Sequence, residues 1–422
     1  MNFLSKLSLI FKDSLLRKKI LFVLFALIIF RLLANIPLPA IGLYKLETLF
    51  ANNQFFGLFD IFSGGGLSNL SIMMLGVGPY ITASIIMQLA TMMSPKLKAM
   101  YHEEGELGRK KFSQYSRIIS VPLAIIQSWS FILLLQKQGL LGAMPPFDMI
   151  TNVILITAGS VLLMWIGELM TEYGVGNGVS LIIFAGIVSR IPTITAQLIF
   201  SFDTSQIPTY LGFLAAAVII VLAVVILTEA ERPVPVTYAK RVRGSKVYGG
   251  MSTYLPLRIT QAGVIPIIFA LSILLFPQMI FNFLSTASNE VLRSISSFGL
   301  QIINNGWFYA IFYFLLVFVF TYFYTAVTFD PEAISTNLQK NGAFIPGVRP
   351  GATTSEYLAK VVTRITLVGA IFLGLVAVLP LAMQGVTGNT TLAIGGTALL
   401  IVVSVVLDLM KKVDAQLSMR EY

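Results

Sequence analysis

Residues 58–89 read LFDIFSGGGLSNLSIMMLGVGPYITASIIMQL, an apolar helical pattern cut twice, by Gly64-Gly65-Gly66 and by Gly76-Val77-Gly78-Pro79. Proline inside a helix removes a backbone hydrogen bond, and glycine favours other conformations. Lipid offers the freed backbone groups no partner, so irregular chain at membrane depth survives only where it is buried in protein or lines a cavity. The stretch therefore predicts a short half-helix followed by a full span, with residues 60–80 facing the interior of a larger apolar assembly.

The rest of the chain supplies that assembly. Of 422 residues, 56% are hydrophobic and 11% charged, and the mean hydropathy of +0.84 lies far above that of soluble domains. Apolar segments occupy residues 20–38, 72–93, 118–136, 151–170, 179–198, 209–228, 262–282, 307–328, 365–383 and 391–407. These ten segments each approach the roughly 20 residues a span requires and leave no room for a separate soluble domain. An even number of spans puts both termini on one side. Of 29 lysines and arginines, 24 fall in the two tails and the loops 94–117, 229–261 and 329–364. Lys45, Lys137, Arg190 and Arg293 are left on the opposite side, and Arg31 inside the first span. The positive-inside rule then places both termini in the cytosol. The first 19 residues, short, basic and amphipathic, are expected to lie as a retained helix on the cytosolic surface. Five spans per half would make residues 1–200 and 201–422 inverted in topology, as in many conducting and carrying proteins.

Chemistry is sparse. The chain has no cysteine, which excludes disulfides and thiol ligation. Its single histidine, His102, sits in the polar run His102-Glu103-Glu104-Gly105-Glu106 and reads as a solvated loop residue without partners for a metal. No nucleotide, hydrolase or metalloprotease motif occurs, so neither catalysis nor a cofactor is expected. Charged residues within the spans reduce to Arg31, Glu168 and Asp408, the last two at cytosolic ends where a side chain snorkels to water. The loops 229–261 and 329–364 are much longer than the others and rich in Gly, Pro and basic residues. Long loops of this kind are commonly functional, and we read them as docking surfaces. An apolar interior, a broken helix and basic loops fit a pore gated by apolar constriction. A secondary transporter of small solutes also uses broken helices, and a membrane scaffold without a conduit is the third class.

Six strings decide among these: SGGGLSNLSIMMLGVGPYITASIIMQL (63–89), GELGRKKFSQYSR (105–117), GVGNGVSLIIFAGIV (174–188), YAKRVRG with STYLPLR and AGVIPIIFA (238–270), GAFIPGVRPG (342–351) and TRITLVGAIFLG (363–374). In order and spacing, from about residue 15 to 412, they closely resemble the SecY family, the channel subunits of the bacterial Sec translocon. The resemblance implies an all-α fold of ten transmembrane helices, in two inverted pseudo-symmetric five-helix halves around an hourglass pore in the bacterial plasma membrane. By position, Val77, Ile81, Val179, Ile183, Ile268 and Ile401 match the pore ring. A plug is implied at about 57–71, carried by Phe59, Ile61, Phe62, Ser63, Gly64, Gly65, Gly66 and Leu67. Thr82, Gln88, Gln127 and Thr260 match polar positions of a lateral gate formed by spans 2, 3, 7 and 8, where weak interhelical hydrogen bonds would hold it shut. Lys240, Arg241, Arg243, Arg258 and Arg349 match docking positions for the SecA ATPase or the ribosome. SecE and SecG are the implied partner subunits, SecDF and YidC the accessory factors, and signal-bearing preproteins and membrane lipids the further contacts. Two departures stand out: valine at 77 and 179 in a ring often richer in isoleucine, and Arg232-Pro233 where two basic residues are common.

Overall fold

A computed structural model describes residues 13–39, 60, 63–67, 69–137, 141–142, 144–192, 195–196, 207–238, 241–243, 246–248, 252–260, 263, 265–285, 289–303, 305–387 and 390–418. The surface helix expected at the amino terminus lies, over residues 1–12, outside them, as do Phe59, Ile61, Phe62 and Lys240. In chain order the helices are α1 (Ser14–Leu33), α2 (Gly78–Met93), α3 (Pro95–His102), α4 (Gly105–Lys137), α5 (Pro146–Tyr173), α6 (Gly178–Val188) and α7 (Ile207–Glu229). After a set of strands follow α8 (Ile265–Leu284), α9 (Glu290–Ile303), α10 (Gly306–Thr328), α11 (Pro331–Lys340), α12 (Ala352–Thr387) and α13 (Thr390–Ser418). The ten apolar segments fall on α1, α2, α4, α5, α6, α7, α8, α10, α12 and α13. Among the described residues, α4, α5, α7, α10 and α12 contain stretches long and apolar enough to cross a membrane by themselves, while α6 and the first half of α8 are shorter apolar helices.

Helix starts follow local chemistry. Asp13, Asn177, Asn305 and Asp330 each precede a helix and accept from its first free backbone N–H groups. Buried hydroxyls inside the helices are satisfied locally: Ser128 donates to the Ala124 carbonyl, Thr321 to Val317 and Thr325 to Thr321. In an apolar surround such a hydroxyl has no cheaper partner than its own helix.

Two expectations are corrected. The full span placed at 72–93 begins only at Gly78, because residues 72–77 are turns. Where a half-helix was expected over 57–71, only Asp60 and Ser63 among the described residues are helical, and residues 64–67 form turns. The cause is in the glycines: Gly64 and Gly65 take φ of +67° and +83°, the left-handed region that side chains with a Cβ rarely adopt.

The helices before residue 200 pack among themselves, α1 on α5 and α6, α2 on α4 and α5, and α5 on α4 and α6. Those after it do likewise, α7 on α12 and α13, α8 on α10, and α12 on α10 and α13. The groups meet where α8 lies on α2 and α4, and where α6 lies on α13. One large apolar core runs through both groups.

The all-α expectation fails outside this bundle. The loop 229–261 folds into β1 (Glu231–Tyr238), a hairpin of β2 (Arg241–Arg243) with β3 (Lys246–Tyr248), and β4 (Ser252–Arg258). Strand β1 pairs antiparallel with β4 along its length and, at Thr237 and Tyr238, with β5 (Ala343–Phe344) of the second long loop. Among the described residues β1 has no second neighbour at Pro233 and Pro235, so on that side their missing N–H costs no ladder bond. The inward residues Val234, Val236 and Leu257 join Ala343, Ile345, Leu358, Val361, Val362 and Ile365 in a separate small core against the start of α12. Strands β1, β4 and β5 thus join parts of the two long loops in one folded unit.

Candidate functional site

A cavity of about 700 Å³ opens between α2, α4, α5, α6, α8 and α10. Its exposed wall carries Glu106, Arg109, Lys110, Arg117 and Glu172, with Glu168 half-buried beside them. Three cations face three carboxylates, so the wall has no net sign. Arg117 binds Glu168 at 2.5 Å, and Ser113 also reaches that carboxylate, at 3.4 Å. Glu168 therefore ties α5 to α4 across the cavity mouth instead of merely reaching for water. Asp408, by contrast, pairs with Lys412 one turn along its own helix at 2.7 Å, both half exposed, as a helix-end carboxylate should.

The buried part of the wall is apolar, with Phe269 beside its aliphatic side chains. Ile81, Val179, Ile183 and Ile268 line it, three of them buried and Val179 partly so. Val77 and Ile401, at 0% and 1% exposure, belong to the same apolar core but do not line the cavity. Of the six residues implied as a ring, four thus line one cavity, and Val77 and Ile401 are buried in the large core away from its lining.

The irregular stretch that follows Asp60 sits in this core with Leu67 fully buried. Its backbone is satisfied from within and from neighbours. Gly65 N–H donates to the Asp60 carbonyl, Ser71 N–H to Gly66, Leu38 N–H to Leu70 and Ile72 N–H to Ile36. Ser160 of α5 donates to the Gly76 carbonyl at 2.9 Å. Ser63 Oγ accepts from Leu67 N–H and donates to the Asp60 carbonyl, both at 3.0 Å. Two arginines close on the segment from separate helices. Arg31, in the last turn of α1, donates to the Gly64 carbonyl at 3.1 Å. Arg190, just past α6, places Nη1 2.8 Å from a carboxylate oxygen of Asp60, whose side chain is 0% exposed. A Cβ on Gly64 would strike the Phe30 ring, and one on Gly186 of α6 would strike the Gly64 backbone.

Of the implied gate residues, Thr82, Gln127 and Thr260 are buried and Gln88 lines the cavity. The helices of Thr82, Gln88 and Gln127, α2 and α4, both pack against α8, while Thr260 lies in the non-helical chain five residues before α8. Thr82 donates to the Gly78 carbonyl and Gln88 to Ser84 at 3.5 Å, bonds that stay within α2. The Gln88 Oε1 is buried without a hydrogen-bond partner.

Of the implied docking residues, Arg349 is exposed in a turn between Gly347 and Gly351, whose φ of +81° and +102° bend the chain sharply on either side. Arg258 faces Glu231 across the β1–β4 register and pairs with it at 3.3 Å, so part of its charge is already answered. Arg241 and Arg243 lie on β2; His102 closes α3.

The reading of the residues missed Asp60 and the use made of Arg31 and Arg190. The signal was present: Asp60 is the one carboxylate in the apolar run Leu58 to Leu89, and an acid at such a place calls for a cation. The partner's position, 130 residues away, is set by packing and by nothing local.

Residues 71–410 match the family model described as SecY. The chain is 42% identical over 98% of its length to the protein translocase subunit SecY of Corynebacterium glutamicum, of which it covers 97%. It is 43% identical over 96% of its length to that of Thermus thermophilus, covering 94%. Among solved structures it is similar, with a TM-score of 0.66 at 18% identity and coverage of 95% and 92%, to a SecY channel whose plug domain is described as stabilising the closed state.

Proposed function

We propose that this chain, which belongs to the SecY family, is a multi-pass plasma-membrane protein serving as a passive, gated conduit for unfolded preproteins and for the insertion of membrane segments. Ten spans, divided as residues 1–200 and 201–422 with both termini cytosolic, enclose the path. The carrying observation is the wall change in the cavity, from balanced charge at the exposed side to Ile81, Val179, Ile183 and Ile268 at the buried side. Charge balance at the mouth lets chains of either sign enter. A narrow aliphatic constriction then resists ions by dewetting while giving a moving chain no polar group to bind. Val77 and Ile401, buried in the same apolar core, complete the ring, and the segment at about 57–71 is the plug.

The packing of α8 on α2 and α4 supports a seam that opens sideways to lipid, with Thr82, Gln88, Gln127 and Thr260 along it. Because Thr82 and Gln88 bond within their own helix, the seam rests on apolar packing, which re-forms without the search that directional bonds require. The folded sheet of the two long loops presents Arg349 to a driving partner, SecA or the ribosome, with Lys240, Arg241, Arg243 and Arg258 as neighbouring charge in sequence. SecE and SecG would complete the complex. The test is reconstitution of the chain with SecE in proteoliposomes: with SecA and ATP, a signal-bearing preprotein becomes protected from external protease. No protection, in vesicles where all components are intact, overturns the reading.

A further inference from the structure

We propose that the molecule holds a binding site for one membrane phospholipid, whose acyl chain fills an apolar cleft between α8, α9 and α10. The cleft has a volume of about 240 Å³ and lies towards the carboxyl end of α8. Its walls are Pro277 and Phe281 of α8, Ile302 and Ile303 of α9, and Phe308 and Phe312 of α10, the last two stacked with ring centroids 5.8 Å apart. None of the lining residues carries a charge.

Helix α9 shows what the cleft opens onto. It packs on α8 and α10, and its residues divide around the axis into three sides. On the first, Ser296 donates to the Phe281 carbonyl at 2.6 Å, and Gly299 is buried so close to the Phe281 ring that a Cβ would strike it. On the second, Val291, Ile295 and Phe298, spaced by four and three residues, form an exposed apolar stripe. The third is polar and exposed, with Glu290, Arg293, Ser294 and Ser297. A helix that joins two spans and turns one apolar and one polar side outward lies along the membrane surface, with the apolar side among acyl chains and the polar side at the head groups. Trp307, exposed in the first turn of α10, belongs at the same level, where tryptophan is enriched. Ile302, four residues after Phe298, continues the apolar stripe and also lines the cleft, so the cleft opens on the side that α9 turns to the acyl chains.

That position selects the occupant. An apolar cavity does not retain water, and an empty one deprives its walls of dispersion contacts on one side. An acyl chain gains no hydrophobic energy by leaving one apolar medium for another. What retains it is contact with fixed walls and, at the surface, its head group, for whose phosphate the exposed Arg293 supplies a cation.

The experiment places the full chain with SecE and SecG in vesicles of phosphatidylethanolamine and phosphatidylglycerol that carry a trace of phospholipid with a diazirine midway along one acyl chain. After extraction into mild detergent, which strips loosely held lipid, illumination is expected to label the peptides that contain Phe281, Ile302 and Phe312. Ile302→Trp, which fills the cleft, is expected to lower this labelling at least about tenfold. Ile311→Trp, on the exposed side of α10, is expected to leave it within about twofold. Arg293→Gln is expected to lower it about threefold, the weight of an exposed charge contact; no change there overturns the placement of the head group on α9. Labelling spread evenly over all exposed helix faces, or unchanged in Ile302→Trp, overturns the site. Equal labelling by a free fatty acid carrying the same diazirine overturns the phospholipid as its occupant. Labelling of the chain alone that disappears when SecE and SecG are added means that a partner helix covers the cleft, which also overturns the site. If Ile302→Trp fails to accumulate, the unsubstituted complex decides: label on all three walls after extraction supports the site, and its absence overturns it.

Discussion

Among the described residues, two regions that leave the helix do so under opposite conditions. The described residues between Gly64 and Val77 lie largely inside the apolar core, while β1, β4 and β5 stand outside the bundle. Both are punctuated by Gly or Pro. In the first, almost every polar group is answered by a neighbour: backbone N–H groups by nearby carbonyls, Gly76 by Ser160, Asp60 by Arg190. In the second, one face is buried on Val234, Val236 and Leu257, and the other carries charge into water. The same pairing of arginine with carboxylate appears in both, yet at Asp60 it is sealed at 0% exposure and at Glu231 it stands at 38%. Solvent decides the weight of each: an exposed pair is worth at most about 1 kcal/mol, whereas stripping a buried one of a partner costs several times that.

If that contrast is right, intrusions at the core should be severe. Ile183→Lys places a charge at a position 1% exposed beside the aliphatic wall, where an unpaired charge costs roughly 3–5 kcal/mol. The expected result is a leaky or poorly accumulating channel, read as potassium leak per reconstituted complex; a sealed, fully active variant would break the assignment of the aliphatic wall. Gly186→Val is the next largest. Its side chain must push against the Gly64 backbone, and overpacking of this kind costs about 1–3 kcal/mol. The plug is expected to shift, with leak rising about tenfold and export by an intact driving system retained.

How far these regions could be read from the residues follows from the same physics. Composition and the ten apolar segments show the bundle because each helix is a local object, satisfied by its own backbone. The interruption at Gly64 to Gly66 was visible for the same reason. What the turns do was not, since Gly64 answers to Phe30 and Gly186, and Asp60 to Arg190, across distances set only by packing. The sheet was hidden differently. Val234, Thr237 and the prolines of β1 read as loop, because the alternation of Val234 and Val236 is too short to outweigh Pro233 and Pro235. Its partner β5 lies about a hundred residues on, in the other long loop. The gate residues show the limit of carrying roles by position: Thr82 and Gln88 are assigned to a gate by position alone, and the bonds they make stay within α2.

On the outer side of the comparison, Arg349→Glu should act on partner binding alone. Arg349 is exposed and its turn is set by Gly347 and Gly351 together with the Thr354 bond to the Arg349 carbonyl, none of which needs the guanidinium. SecA-driven export is expected to fall at least about tenfold, one lost charge-assisted contact replaced by a repulsive one. Assembly with SecE and the thermal stability of the complex are expected to stay unchanged. Normal export would remove Arg349 from the docking surface.

The smallest effect sharpens the comparison most. Glu231→Gln breaks the Arg258 pair, whose side chains are 51% and 38% exposed. Stability should move by no more than about 0.5 kcal/mol, because water already screens both groups. What changes is the charge offered outward: Arg258 is released, and this face of the sheet gains one net positive unit. Binding of an acidic partner surface is then expected to strengthen by up to about threefold at low salt, and the gain to vanish near 1 M salt, where the screening length falls to about 3 Å. A gain that persists at high salt would mean that Glu231 shapes the sheet and does not merely mask Arg258. A large loss of stability would mean that this exposed pair behaves as the buried one does, and the division drawn between the two regions would not hold.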